Sequence, residues 1–440
     1  MKLVVHPSPC LQGILTVPGD KSISHRAVIL AAIAQGQSRI HGWLQAADCL
    51  ATVSILRALG VRIDIVGAEV RVEGVGLHGL RTPTAPLDCG NAGTAMRLFV
   101  GLLAGQIFNS VLTGDASLRN RPMARIVEPL RSMGACISGQ SRADHDLTAP
   151  LIIQGNPALR GIEYSQAVPS AQVKSGILLA GLYAAGETVI IERHRTRDHS
   201  ERLLERFGAD LKITESKIIL TPPSFLRAQE ISVPGDISSA AFFIVGALLC
   251  RDTPKRPVLI KNVGVNPYRA GVITILQAMG AKIVLHPRAA QSYEPVADIE
   301  VWGGQKLKGI TIDPAWVVSA IDEFPIIFIA AACAQGTTIL RSATELRYKE
   351  SDRIQTMTVA LRALGIVVEV LEDGLIIEGG ELTGGEVDSA GDHRIAMALA
   401  MAACAAKGTI VINDAENIAT SFPNFIVLAK NLGLSVYQKE

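Results

Sequence analysis

Aromatic residues are scarce: Phe, Trp and Tyr make up 4% of the 440 residues, while the apolar class as a whole reaches 48%. Cores of Leu, Ile, Val and Ala are expected, and stacking of bases on aromatic platforms is excluded as a main binding mode. An excess of one charge is missing too. The 42 basic and 41 acidic residues leave a net charge of +1. No overall field therefore draws the chain to nucleic acid or to a membrane surface, and any anion has to be held by local clusters. The seven cysteines are odd in number and lack CxxC spacing, which argues against a disulfide framework or a zinc site and leaves reduced, buried thiols. There is no GxxxxGK[ST], HExxH or GxSxG string, and the GxG strings lack the strand–helix context of a dinucleotide site. Neither metal nor nucleotide is demanded. The opening MKLVVHPSPC has no basic stretch followed by a long apolar one, and no later segment reads as a spanning helix, so the expected address is the cytoplasm.

What is present is repetition. The length exceeds what a single hydrophobic core supports, so roughly two domains are expected. VPGDKS at residues 17–22 returns as VPGDIS at residues 233–238, which divides the chain near its midpoint. A finer repeat runs through both halves as a helix-like segment, a glycine and an apolar strand. Its glycines are Gly60, Gly134, Gly208, Gly280, Gly365 and Gly433. Gly suits the position just past a helix end, where a left-handed backbone costs little. Each repeat also holds a second, more apolar helix, from HRAVILAAIAQG through to HRIAMALAMAACAAKG, predicted to be buried because it has no strongly polar face. β-branched strands such as ETVIIE and GTIVIN follow these helices. The reading is an α/β chain of three plus three βαβαββ-sized units.

The polar residues fall at the N-terminal ends of the apolar helices: Lys21 and Ser22; Asn91, Gly93 and Thr94; Ser170 and Gln172; Asp322 and Glu323; Asp392, His393 and Arg394. Helix starts offer free N–H groups and partial positive charge, which suit phosphate or carboxylate. Taken singly, the Ser, Thr, Asp and Asn residues also read as ordinary caps worth about 1 kcal/mol each. Lys21, Arg26, Arg97 and Arg394 are harder to explain in that way. An unpaired cation beside a buried helix costs several kcal/mol, and an anionic substrate would neutralise it. RNRPMAR, TRDHSER and RYKESDR add Arg121, Arg197, Lys349 and Arg353 among others, each run by itself also readable as a solvated face.

In order along the chain, VPGDKSISHR, GNAGTAMR, GDASLRNRPM, SAQVK, DEFP, RYKESDR and GDHRIAM resemble the 5-enolpyruvylshikimate-3-phosphate synthase family over essentially the full length. The resemblance implies an inside-out α/β barrel fold in two domains: residues 20–234, and residues 1–19 with 235–440. Crossovers would lie near residues 17–20 and 233–236, with substrate held in a cleft between the halves. It implies transfer of the enolpyruvyl group of phosphoenolpyruvate to the 5-hydroxyl of shikimate 3-phosphate, with release of phosphate, in aromatic amino acid biosynthesis. No cofactor, metal, nucleic acid or membrane is implied, and the expected state is a monomer.

Carried over by motif, shikimate 3-phosphate would meet Lys21, Ser22, Arg26, Ser170, Gln172, Arg197, Asp322 and Lys349. Phosphoenolpyruvate would meet Lys21, Asn91, Gly93, Arg121, Gln172, Arg353 and Arg394. Asp322 and Glu350 match the family's acid–base pair: Glu350 would move the C3 proton and Asp322 the hydroxyl proton, with Lys21 near the reacting carbon. Neighbouring cations are expected to keep both carboxylates mostly ionised. Two departures stand out. Thr420, in ATSFP, replaces a Lys that many members use on phosphoenolpyruvate. SAQVK and RDHSE resemble the subgroup that tolerates glyphosate, yet Gly93 leaves room for that inhibitor, so intermediate tolerance is expected. The sister enzyme acting on UDP-N-acetylglucosamine is the nearest rival, but GDASLRNRPM lacks its reactive Cys. An RNA 3'-phosphate cyclase-like protein and a non-catalytic phosphate binder are the others.

Overall fold

The computed structural model describes residues 1–141, 146–252, 254–288 and 293–439. The chain divides into a unit of Gly19–Val233 and a second unit of Met1–Pro18 with Pro234–Glu440. It is an α/β protein built on small mixed sheets.

In the Gly19–Val233 unit there are three four-stranded sheets. One runs Leu87–Asp88, Ser110–Thr113, Leu147–Gln154, Cys136–Ser141, and another Glu163–Ser165, Thr188–Ile191, Lys217–Thr221, Asp210–Ile213. In each, the first two strands are parallel and joined through a buried helix, Gly93–Ala104 or Ala171–Gly181, and the last two form an antiparallel pair. This is the βαβαββ unit, since a parallel pair needs a crossover and a helix supplies it.

The remaining sheet departs from simple order. Its parallel strand beside Gln35–His41 is Glu230–Ser232, from the far end of the unit. The other unit has the mirror arrangement, with Gly13–Thr16 parallel to Val258–Gly264. The two VPGD strings therefore leave a strand of one unit and enter a helix of the other, and both do the same local job. Asp20 caps Lys21–Ala32 by accepting from Ile23 N at 2.9 Å, and Asp236 caps Ile237–Leu249 by accepting from Ser238 N at 2.8 Å. The last sheet is completed by the first residues of the chain, with Lys2–Val5 between Ile410–Asn413 and Val436–Lys439. The fifth sheet has three strands, and single bridges at Lys308 and Thr311 stand for its parallel edge.

All six repeat glycines adopt the left-handed backbone, with φ between 90° and 112°. Every residue of Ile237–Leu249 and of Phe324–Ala332 is buried. No helix among the described residues is long and apolar enough to cross a membrane. Lys21 is the first residue of its helix, with Asp20 as the cap. One expectation needs correction. None of the seven cysteines is in a disulfide, but Cys136, which opens a strand, is exposed, and Cys10 in a loop and Cys333 just past the end of a helix are half-buried.

The first buried helix carries an unusual charge arrangement. His25 is fully buried and hydrogen-bonds Thr52 Oγ1 at 2.7 Å. Burial, and then the charges of Lys21 and Arg26, push its pKa down from 6.5 to about 3. Above pH 6.5 it is neutral folded or unfolded and adds no pH dependence. As pH falls below that value only the unfolded chain takes up the proton, so stability drops by about 1.4 kcal/mol per pH unit towards the folded value. Urea midpoints are expected to fall from pH 7 to about pH 5, and more steeply in the wild type than in His25→Gln. Equal slopes would show that His25 is not the group responsible.

Candidate functional site

The starts of the buried helices draw in polar side chains because their first N–H groups have no partner within the helix. Each unit holds its own set.

In the Gly19–Val233 unit, Lys21 Nζ pairs with Asp48 Oδ2 at 2.9 Å, and both side chains are largely buried. Arg26 is held by Ser200 Oγ (2.7 Å), Ser175 Oγ (2.8 Å) and the carbonyl of Ser22 (2.9 Å). Ser170 caps its helix by accepting from Val173 N. Gln172 donates to Thr94 Oγ1 (2.9 Å) and accepts from Arg97 Nη1 (2.9 Å). Arg121 Nη2 donates to Asn91 Oδ1 (2.8 Å), and Asn91 Nδ2 donates to Asp115 Oδ2 (2.7 Å). A methyl group on Gly93 would lie 2.9 Å from Arg97 Nη1 and 3.1 Å from Arg121 Nη1, so the bare backbone there is what lets both guanidinium groups approach. Arg197 is half-buried in the turn before His199–Arg206.

In the other unit Arg353 is the centre. It is fully buried, donating to Asp392 Oδ2 (2.8 Å) and Glu350 Oε2 (2.6 Å), with its Nη1 3.9 Å from Asp322 Oδ1. Burial opposes its charge, but the Asp392 and Glu350 carboxylates outweigh that and hold its pKa above the ordinary arginine value. Asp322 also pairs with Lys349 Nζ at 3.2 Å. Asp392 caps its helix by accepting from the backbone N–H of Arg394 at 2.9 Å. Arg394 donates to the carbonyl of Asp322 (3.2 Å) and lies 3.5 Å from Glu323 Oε1. Glu323 in turn receives Arg269 Nη1 at 2.6 Å and the hydroxyl of Ser238. Thr420 Oγ1 donates to the carbonyl of Asn417.

In the contacts described, the expected residues of the Gly19–Val233 unit fall in several small clusters, around Lys21, Arg26, Gln172 and Arg121, while those of the other unit join in one network around Arg353 and Glu323. Contrary to the expectation from the sequence, Lys21 and Arg394 need no external anion to justify their burial, because Asp48 and Glu323 already lie against them. Sequence reasoning missed Asp48, Asp115, Ser175, Ser200, Ser238 and Arg269 as members. Arg97 stood in GNAGTAMR, and Glu323 and Asp392 at helix starts, without being assigned to substrate. Two carboxylates on one shared guanidinium, with further cations at helix starts, are suited to handling protons beside a phosphate or carboxylate.

The family model for EPSP synthase (3-phosphoshikimate 1-carboxyvinyltransferase) matches residues 5–428. The 3-phosphoshikimate 1-carboxyvinyltransferase of Coxiella burnetii is 53% identical over 432 residues, covering 98% of this chain and 97% of that protein. The Methylococcus capsulatus protein of the same name is 52% identical with the same coverage. Among solved structures, EPSP synthase from Acinetobacter baumannii aligns over the whole of both chains at 47% identity and a TM-score of 0.87. The enolpyruvyl transferase NikO from Streptomyces tendae, at 17% identity and a TM-score of 0.79 over 100% of this chain and 98% of that one, shares the fold. With repeats, helix-start clusters and full-length likeness agreeing, the chain belongs to the EPSP synthase family.

Proposed function

We propose that this chain is an enzyme of the shikimate pathway that transfers the enolpyruvyl group of phosphoenolpyruvate to the 5-hydroxyl of shikimate 3-phosphate and releases phosphate. The observation that carries the reading is the pair of carboxylates gathered around Arg353, with Glu350 2.6 Å and Asp322 3.9 Å from its guanidinium. The reaction moves two protons. Asp322 accepts the proton of the 5-hydroxyl as that oxygen attacks C2, and Glu350, ionised at rest beside Arg353, delivers to C3 a proton that it first takes up from solvent. The tetrahedral intermediate then loses phosphate from C2, the proton held by Asp322 leaving with the phosphate, while Glu350 takes back a proton from C3. Nothing is oxidised or reduced.

Shikimate 3-phosphate is assigned to Lys21, Ser22, Arg26, Ser170, Gln172, Arg197, Asp322 and Lys349. Phosphoenolpyruvate is assigned to Lys21, Asn91, Gly93, Arg121, Gln172, Arg353 and Arg394. The charge of these groups, held in advance by neighbouring side chains, favours the anionic transition state without reorganisation at the moment of reaction. The partners are these two small molecules alone, and the working form is a cytoplasmic monomer without cofactor or metal. The balanced charge of the chain supports the exclusion of nucleic acid.

Phosphate release is expected to require shikimate 3-phosphate and not to occur with UDP-N-acetylglucosamine. Release only with the UDP-sugar would move the chain to the sister activity, and release with neither would leave a binding protein. Asp322→Asn and Glu350→Gln keep the shape of each side chain and are each expected to lower kcat by about 100-fold or more. A kcat within a fewfold of wild type in either would remove that residue from proton transfer.

Gly93→Ala is expected to fold, since the atoms it meets are the ends of two arginine side chains. It would shift Arg97 and Arg121, raise the KM for phosphoenolpyruvate severalfold, and weaken inhibition by glyphosate still more. For the unsubstituted chain intermediate tolerance is expected. A glyphosate inhibition constant in the low micromolar range or below would contradict it.

A further inference from the structure

Lys174 lies one turn into the Ala171–Gly181 helix, with its side chain completely buried. Its ammonium donates to Glu192 Oε2 (3.0 Å) and to the carbonyl of Thr196 (3.3 Å), and forms a close ion pair with Glu201 Oε1 (2.7 Å). Both glutamates are completely buried as well. Glu192 follows the strand Thr188–Ile191, Thr196 lies in the turn, and Glu201 is in the His199–Arg206 helix. One ammonium therefore ties the beginning, the middle and the end of the segment that carries Arg197. Glu192 reinforces the turn by accepting from the backbone N–H and the hydroxyl of Thr196. Arg195 adds a charge 3.6 Å from Glu192 and donates to the carbonyl of Glu215 at 3.0 Å.

A ladder of neighbouring residues continues this arrangement. Ser175 follows Lys174 and Ser200 precedes Glu201; the two hydroxyls are 2.7 Å apart and both accept from Arg26. Burying one lysine with two glutamates is an expensive way to fix a turn, and apolar residues of similar volume often do it as well or better. Its particular property is that it sets a turn's geometry through directed contacts.

We propose that Lys174, with Glu192 and Glu201, is a positioning residue for shikimate 3-phosphate, acting by holding the 192–201 segment so that Arg197 meets the substrate in one orientation. The proposal rests on the assignment of Arg197 to that substrate. Lys174 touches neither substrate.

The test uses the full-length enzyme. Lys174→Met with Glu201→Gln removes one positive and one negative charge and leaves Glu192 facing Arg195. Glu201→Gln alone keeps the Lys174–Glu192 pair and gives a second, milder variant if the double variant fails to fold. The double variant is expected to raise the KM for shikimate 3-phosphate by about tenfold, the equivalent of weakening one charge-assisted hydrogen bond. The KM for phosphoenolpyruvate and kcat should stay within about twofold of wild type, and Glu201→Gln should change the same KM in the same direction by less. Because Lys174 acts through Arg197, the double change should have little further effect on this KM in an Arg197→Ala background. A KM for shikimate 3-phosphate unchanged in the folded variants, or an effect that persists in full without Arg197, overturns the proposal. A wild-type enzyme that does not turn over shikimate 3-phosphate would instead overturn the assigned function.

Discussion

Charge buried at the start of an apolar helix is the constraint that organises this molecule. The buried helices of each unit expose N–H groups only at their first turns, so polar chemistry has one kind of place to go. Arg353 shows the consequence most fully. It is completely buried, and Asp392, which holds it, also caps the helix that begins at His393 and fixes the backbone of Arg394. Cap, ion pair and candidate substrate contact are thus one object. Removing a partner from such a network strands a buried charge, which costs far more than the network contributes while intact.

The duplication of the fold explains why the VPGD string occurs twice. Each copy connects a strand that completes a sheet of one unit to a helix that begins the buried core of the other. The aspartate caps the incoming helix. Gly19 is required for a packing reason as well, because a methyl group there would lie 1.9 Å from the carbonyl oxygen of Gly42. Strand end, glycine contact and cap all fall within five residues, so little of the string is free to vary without a structural cost.

What was legible in the sequence was local. The helix–glycine–strand repeat could be read because a left-handed residue after a helix is a property of three or four neighbouring residues, and Gly60, Gly134, Gly208, Gly280, Gly365 and Gly433 all take that backbone. The polar helix starts could be read for the same reason. Pairings between distant residues could not. Nothing near Lys21 announces Asp48, nothing near Glu323 announces Arg269, and Glu230–Ser232 meets Gln35–His41 across almost the whole unit. The use of Lys2–Val5 to complete the last sheet is equally invisible, since an edge strand is chosen by which sheet lacks a partner. The buried Lys174 stood inside the SAQVK string, yet its partners lie 18 and 27 residues further along the chain and share no local pattern with it.

The partners that were invisible in the sequence also divide the chemistry. The hydrogen bonds described for Arg26, Arg97 and Arg121 go to hydroxyls, amides and carbonyls, which fix the side chains in place. Those of Arg353 go to carboxylates, and Arg394 lies against Glu323, so that charge is largely cancelled where it sits. The first arrangement orients guanidinium groups through neutral partners, and the second holds carboxylates close to a cation in a place poor in water. A reaction that must bind two highly anionic molecules and also move protons needs both. Neutral partners suit the orientation of a cation and carboxylate partners suit the control of protons; among the contacts described, the former surround Arg26, Arg97 and Arg121 and the latter surround Arg353.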